Sequence, residues 1–269
     1  MAGLPPLGII AGAGMMPLLV ANAARAGGRQ CCIIGLEGIA DADFSGNVVH
    51  RLRLGAAATI LGTLAEAGCQ QVILTGKVVR PSVASLRPDL LAARLLPVLL
   101  GSGDASALDH ITAVFEEHGM AITGLETVLP EGFADQGVMT GRKPSSAMMA
   151  GVKAGTRILA ALGAHDVGQA VVIQGSRVLA LEAAEGTDAM IRRGAELADP
   201  SLAPPILVKM MKTAQDRRLD PPVIGTKTID QAAAAGIRLI AIQHGGVFMA
   251  EKQAVLVAAR KQRLTLIGV

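Results

Sequence analysis

Leu7-Gly8-Ile9-Ile10-Ala11-Gly12-Ala13-Gly14-Met15-Met16-Pro17 is the stretch that decides how this chain folds. Its first five residues are apolar and uncharged, the pattern of a short strand covered on both faces. Gly12 and Gly14 then supply a tight turn, and Pro17, with φ fixed near the helical value, suits the first turn of a helix. Residues 17–26 continue as an Ala- and Leu-rich helix that Gly27-Gly28 stops. No charge precedes Arg25, yet the stretch has no basic n-region and its centre is broken by Gly and Pro. It is therefore read as a β-turn-α unit and not as a signal peptide.

The same alternation runs outward from there. Residues 31–35 read as a second strand, 37–47 as a loop rich in Asp and Gly, and 48–52 as a strand. A helix over 55–67 ends at Gly68, a strand follows at 71–75, helices at 89–100 and 105–118, and a last strand within 120–129. Uncharged strands alternating with amphipathic helices imply an α/β fold: a Rossmann-like N-terminal domain with a mostly parallel sheet and helices on both faces. Such sheets take their ligands at the carboxyl ends of the strands.

Residues 130–145 hold Pro, Gly, Asp and Lys with little periodicity, which is how a linker reads. The expected division is an N-terminal domain over 1–132, a linker over 133–145 and a C-terminal α/β domain over 146–269. A helix is expected at 146–162, and the apolar runs 170–173 and 178–181 flank Gln174-Gly175-Ser176-Arg177, a β-hairpin signal. Strands at 223–225, 237–242 and 264–267 then alternate with helices ending at 235 and 260.

Composition narrows the function. With 269 residues, 51% hydrophobic and 17% charged, the chain folds and buries a core. It has no Trp, no Tyr and four Phe, a formal charge of +3, and no basic block longer than Arg192-Arg193 or Arg217-Arg218. Aromatic platforms and phosphate-tracking stripes for nucleic acid are both missing, so no nucleic-acid partner is expected. Cys31, Cys32 and Cys69 lack metal-ligand spacing and read as buried thiols of a reducing cytoplasm. The most apolar run, 90–100, is interrupted by Arg94 and Pro97, short of the roughly 20 residues that span a bilayer. A soluble or peripheral protein is expected.

Chemistry gathers in five places. Gly12 and Gly14 stand between strand and helix, where a phosphate can approach the helix N-terminus, although Pro17 takes the position of the third small residue of the dinucleotide fingerprint. A plain tight turn explains the same glycines. Lys77 and Arg80, in Thr75-Gly76-Lys77-Val78-Val79-Arg80-Pro81, follow another strand and bring two cations to the same sheet edge, or form a solvated loop. Gly101-Ser102-Gly103-Asp104 starts a helix, with Asp104 its natural N-cap. Leu181-Glu182-Ala183-Ala184-Glu185-Gly186-Thr187-Asp188 puts three carboxylates and a hydroxyl at a strand exit, a cluster that repels itself unless it holds a divalent cation or pairs with arginines. Thr187 or Asp188 could equally cap the helix that follows. Lys209, Lys212, Gln215, Asp216, Arg218 and Asp220 precede Pro221-Pro222-Val223-Ile224-Gly225-Thr226, and interleaved acids and bases of this kind suit Mg²⁺ on carboxylates with lysines on phosphate oxygens, with a solvated charged loop as the competing account. The histidines are scattered, and no nucleophile elbow, Walker loop or zincin motif occurs.

Taken in order, the Gly12–Gly14 turn with Pro17, Gly76-Lys77-Val78-Val79-Arg80-Pro81, Gly103-Asp104, Glu182-Ala183-Ala184-Glu185-Gly186-Thr187-Asp188-Ala189-Met190 and Asp220-Pro221-Pro222-Val223-Ile224-Gly225 resemble the LpxI-type UDP-2,3-diacylglucosamine pyrophosphatases of lipid A biosynthesis. The resemblance spans nearly the whole chain. It implies Mg²⁺-dependent hydrolysis (or Mn²⁺ in its place), with water attacking the α-phosphorus to give UMP and 2,3-diacylglucosamine 1-phosphate. It also implies two domains with the lipid-linked nucleotide sugar between them, a homodimer, and work at the cytoplasmic face of the inner membrane as a peripheral protein. The family's essential aspartate falls on Asp220. Chemistry adds Glu182, Glu185, Asp188 and Lys212 as catalytic helpers, Asp188 beside Asp220 on the metal, and Gly12, Gly14, Lys77, Arg80, Asp104, Thr187, Lys209, Gln215 and Thr226 on substrate. Two positions depart from the family pattern: Ala105 where a second acid often follows Asp104, and Thr213 where a Pro often follows Lys212. A pyrophosphatase for another nucleotide sugar, or a nucleotide-binding regulatory protein without catalysis, fits the same residues.

Overall fold

The structure is a computed structural model, describing residues 4–78, 86–101, 104–213 and 215–269. The chain divides into two compact units: Met1–Pro130 with Arg218–Asp220, and Glu131–Arg217 with Pro221–Val269.

In the first unit, β1 (Leu7–Ala11), β2 (Cys31–Leu36), β3 (Val49–Leu52), β4 (Gln71–Thr75) and β5 (Ala121–Ile122) form one parallel sheet in the order β3-β2-β1-β4-β5. The order reverses between β1 and β4, and that switch point is where an open α/β sheet leaves a crevice for ligand. Helix α1 (Met16–Ala26) carries Pro17 in its first turn and buries Pro17, Val20, Ala21 and Ala24, an i, i+3, i+4, i+7 stripe against the sheet. Helix α2 (Ala57–Glu66) buries Ile60, Leu61 and Leu64 in the same way, followed in the chain by α3 (Leu90–Gly101) and α4 (Asp104–Glu117). Asp89 serves two helices at once: its carboxylate accepts from Ala58 N–H at 2.8 Å and Ala92 N–H at 2.9 Å, near the starts of α2 and α3. Cys32 and Cys69 are buried and Cys31 half-buried, all as free thiols. The last strand is two residues long and gives way to two 3₁₀ turns, Leu125–Thr127 and Pro130–Gly132.

The second unit is built on a six-stranded mixed sheet in the order β6-β13-β11-β9-β7-β8. Its strands are β6 (Gly137–Thr140), β7 (Ala170–Gln174), β8 (Arg177–Leu181), β9 (Ile206–Lys209), β11 (Leu239–Ile242) and β13 (Thr265–Gly268). Strands β9, β11 and β13 run parallel, β7 runs against β9, and β8 pairs with β7 in the expected hairpin. A separate pair joins β10 (Val223–Ile224) to β12 (Phe248–Met249). Two corrections to the sequence reading arise here. The segment 133–145 is no linker, because it supplies β6, antiparallel to β13. The segment ending at Lys209 is no charged loop, because Ile206–Lys209 is an inner strand between β7 and β11.

Helices cover both faces of this sheet. On one face Val171, Ile173, Ile206, Val208, Leu239 and Ala241 pack with Val152 and Leu159 of α5 (Ser146–Gly163). On the other, Val172, Leu207, Ile240 and Ile242 pack with Met190 and Ile191 of α6 (Gly186–Glu196), Ile229 of α7 (Thr226–Ala234) and Val255 of α8 (Lys252–Lys261). Alternate residues of each strand therefore serve opposite layers, which is why the strands read as apolar runs without alternation. Met190 and Ile191 are fully buried, a gain of about 1.5–3 kcal/mol each.

Candidate active site

The period-two alternation of β9 sends Leu207 to the α6 face and Val208 to the α5 face, so Lys209 returns to the α6 side at the strand's carboxyl end. Its register neighbours are Ala170 on β7 and Ile242 on β11, and Glu182 leaves β8 beside them, its N–H bonded to the carbonyl of Ala170. Helix α6 starts above this edge. Thr187 lies on the stripe it shares with Met190, Ile191 and Gly194, which faces the sheet, so its hydroxyl points at the strand ends.

The result is a relay from a buried lysine through a half-buried threonine to a half-buried glutamate. Lys209, 4% exposed, donates from Nζ to Thr187 Oγ1 at 2.7 Å, and Thr187 donates to Glu182 Oε1 at 2.5 Å. Glu182 Oε2 accepts from Gln169 N–H at 3.1 Å and lies 3.9 Å from the ammonium. Lys209 is the buried charged side chain among the described residues, and a buried cation persists only where an acceptor and a countercharge meet it. Here Thr187 is the acceptor and Glu182 the countercharge.

The other two carboxylates of the cluster turn away. Glu185 pairs with Arg193, which also donates to the carbonyl of Leu181 at 2.7 Å. Hydrogen bonding from its own backbone N–H, and then from Arg193, holds the Glu185 carboxyl below its usual value. Asp188 sits one residue off the buried stripe and pairs with Lys227, in the first turn of α7, at 2.7 Å. Three acids read from sequence as one cluster thus have three separate sets of basic partners. Among the described residues, no group of three or more His, Cys, Asp or Glu is assembled for a metal ion.

Past Lys209 the chain is tied down from several sides. Gln243, at the end of β11, donates its N–H to the carbonyl of Lys209 at 3.1 Å, and its Oε1 accepts from Met211 N–H at 2.9 Å. Gln215 Oε1 accepts from Lys212 N–H at 3.2 Å and from Gln169 Nε2 at 3.3 Å. Lys212 Nζ pairs with Asp166 at 2.7 Å. Arg217 lies over the ring of Phe133, 4.5 Å from its centroid, and Phe133 meets Phe248 edge-on. Gln169, Gln243, Asp166 and Lys227 were not singled out in the sequence, whereas the Arg193–Glu185 pair meets the expectation that the acids find arginines. Gln243 had a signal, since a polar residue ends an apolar strand and Gly245-Gly246 follow it.

Asp220 is exposed and closes the Arg218–Asp220 segment of the first unit, in which Leu219 is buried and Arg218 Nη1 reaches the carbonyl of Ile122 at 3.5 Å. From Pro221 the chain belongs to the second unit, where exposed Thr226 opens α7. At the switch point of the first unit, Ala13 and Lys77 exchange backbone hydrogen bonds, 2.9 and 2.8 Å long. A Cβ on Gly12 would stand 2.8 Å from the carbonyl carbon and oxygen of Gly76, so this glycine is required by the contact of the two loops. Gly14, with φ +91°, gives its N–H to Asp41 Oδ1 at 2.6 Å, and Lys77 is exposed beside them. Arg80 lies outside the described residues. Asp104 opens α4, and its side chain also lies outside them.

Fold and site define a two-unit α/β protein: one unit with paired loops at its switch point, the other with a cation-backed carboxylate at the carboxyl edge of its sheet. The family model described as LpxI N-terminal domain matches residues 6–132, and that described as LpxI C-terminal domain matches 135–267. The chain belongs to the LpxI family. It is 33% identical, over 98% of its own length and 97% of the relative's, to the UDP-2,3-diacylglucosamine pyrophosphatase LpxI of Caulobacter vibrioides.

Proposed function

We propose that this chain hydrolyses the pyrophosphate bond of UDP-2,3-diacylglucosamine, with water attacking the α-phosphorus to release UMP and 2,3-diacylglucosamine 1-phosphate. Membership of both halves in one family, and the name of the Caulobacter relative, support the reaction. The observation that carries the reading is the Lys209–Thr187–Glu182 relay at the sheet's carboxyl edge.

In this reaction the water oxygen bonds to the α-phosphorus, the bond from that phosphorus to the bridging oxygen breaks, and a proton leaves the water. Glu182 is assigned to orient the water and take that proton. Its two oxygens are held by Thr187 and Gln169, which fixes the carboxylate plane. Lys209 is assigned behind Glu182, as the charge that keeps the carboxylate in place, and its burial favours this over contact with a phosphate oxygen. Lys212 and Lys77 are assigned to phosphate oxygens, with Gly12, Gly14, Arg80, Asp104, Gln215 and Thr226 shaping the substrate's seat. Glu185 and Asp188, through Arg193 and Lys227, brace the start of α6 that carries Thr187.

Mg²⁺ is part of the proposal in a restricted form. A closed cage of protein ligands does not fit the described residues, whereas a cation arriving on substrate phosphates needs only one or two carboxylates. Asp220, exposed at the end of its segment, is assigned as such a carboxylate, and Asp188, held by Lys227 at the start of α6, as another. Mg²⁺ would there neutralise charge building on the phosphoryl oxygens. A homodimer working as a peripheral protein at the cytoplasmic face of the inner membrane completes the proposal, and among the described residues no helix is long and apolar enough to cross a membrane.

Turnover in ¹⁸O-labelled water tests the bond broken. Label in UMP supports attack on the α-phosphorus. Label in the sugar phosphate overturns it, and binding without turnover moves the chain to the regulatory-protein reading.

A further inference from the structure

Helix α3, Leu90-Leu91-Ala92-Ala93-Arg94-Leu95-Leu96-Pro97-Val98-Leu99-Leu100-Gly101, carries a single charge and no acid. Leu90 is 73% exposed, and Ala93, Arg94 and Pro97 are exposed with it, one i, i+3, i+4, i+7 stripe turned to solvent. The opposite side is anchored, since Leu91 packs on the core of the first unit. At 12 residues the helix is about 18 Å long, too short for a bilayer core of about 30 Å. It can lie on a membrane and cannot cross one.

Charge singles out the occupant. Arg87 and Arg94 flank Leu90, and Arg53, whose guanidinium donates to the carbonyl of Arg87 at 3.2 Å, stands beside them; all three are exposed. The acid of this segment, Asp89, has both carboxylate oxygens engaged by backbone N–H groups of Ala58 and Ala92. The patch is thus apolar at its centre and cationic at its rim, complementary to acyl chains beneath anionic headgroups. On the anchored side, Leu91 lines a cleft of about 260 Å³ with Leu61, Ala65, His118 and Met120.

We infer that α3 docks this chain on an anionic lipid surface, with Leu90 inserted among acyl chains and Arg53, Arg87 and Arg94 on headgroup phosphates. The inference deepens the proposed function by naming the element that meets the membrane, and it rests on that reading only for its purpose. None of the four residues belongs to the site described above.

The test is flotation of the full chain with phosphatidylcholine vesicles containing or lacking phosphatidylglycerol, alongside Leu90→Glu and Arg94→Ala. Wild type floats with the anionic vesicles, and added salt weakens it. Leu90→Glu lowers partitioning at least about tenfold and Arg94→Ala about fivefold, with unchanged melting because both side chains are exposed. In a second arm, both variants release UMP at the wild-type rate from detergent-dispersed substrate and more slowly from vesicle-borne substrate. The inference is overturned if wild type does not float with anionic vesicles, or if Leu90→Glu floats as well as wild type. A Leu90→Glu chain that merely changes its oligomeric state while floating normally makes this face a contact between copies. Absence of UMP from both substrate forms would sink the proposed function while flotation still decides the docking.

Discussion

Replacing Thr187 by Val removes one oxygen and leaves every charge in the site. That oxygen accepts from Lys209 at 2.7 Å and donates to Glu182 at 2.5 Å, so two hydrogen bonds to charged groups disappear together. Each is worth about 1.5–3 kcal/mol, giving an upper range of about 3–6 kcal/mol. Part returns because Lys209 and Glu182, 3.9 Å apart in the native protein, can close into a direct pair. A net loss of about 2–3 kcal/mol is expected, which lowers the melting temperature by about 4–12 °C for a chain of this size. Closing the pair also swings the carboxylate off the position set by Gln169, so kcat falls by about 10–100-fold, roughly 1.4–2.7 kcal/mol of transition-state stabilisation, while KM stays near its native value. Thr187→Ser keeps both bonds and recovers most of the loss. Calorimetry and steady-state UMP release on the three proteins decide the matter. Native melting and native kcat in the Val variant would refute the relay, and a change in KM alone would make Thr187 a substrate contact instead.

Lys209→Met leaves the half-buried Glu182 without its countercharge and costs about 1–3 kcal/mol. Adding Glu182→Gln recovers much of that in the melting temperature but restores no activity, and additive losses in stability would contradict the pairing. Gly12→Ala drives a methyl into the Gly76 backbone and destabilises by about 1–3 kcal/mol, read as an earlier denaturation midpoint. Acid stability follows from Glu185, whose folded carboxyl titrates below its ordinary 4.5, as Asp199 and Asp43 titrate below 3.8 through the hydroxyls of Ser201 and Ser45. Depressed values stabilise the fold above the ordinary value, and that contribution is lost as pH falls through the folded one. Melting temperatures therefore owe no slope to these groups in the neutral range and decline below about pH 4.5, less steeply in Glu185→Gln. A decline already visible near neutrality and removed by that substitution would place the loss in the wrong pH window and contradict this assignment.

What the sequence discloses is local. The strand-turn-helix at Leu7–Pro17 carries its own strand, breaker and helix start, and the 187, 190, 191, 194 stripe of α6 is legible as spacing. The hairpin at 170–181 is equally plain, because Gly175 sits between two apolar runs. Strand β9 was hidden because three apolar residues, Ile206-Leu207-Val208, have no readable period, and their place in the sheet comes from β7 and β11 far along the chain. Strand β6 failed the same way, since the β13 residues that pair with it lie near the C-terminus. In the site, spacing showed that Glu182, Glu185 and Asp188 must repel one another unless paired. Which base each would find depended on helix phase: Thr187 turns inward to Lys209, and Asp188, one residue later, turns to Lys227.

The proposed reaction stands or falls on UMP release from UDP-2,3-diacylglucosamine by the purified chain in detergent micelles, with Mg²⁺, with EDTA, and with Asp220→Ala. Metal-dependent release that drops by orders of magnitude in a normally folded Asp220→Ala protein is the predicted result, as removal of a metal-borne electrostatic contribution requires. Release that survives EDTA, or near-native turnover in Asp220→Ala, would contradict the role given to Asp220. No release by folded wild-type protein would contradict the reaction itself.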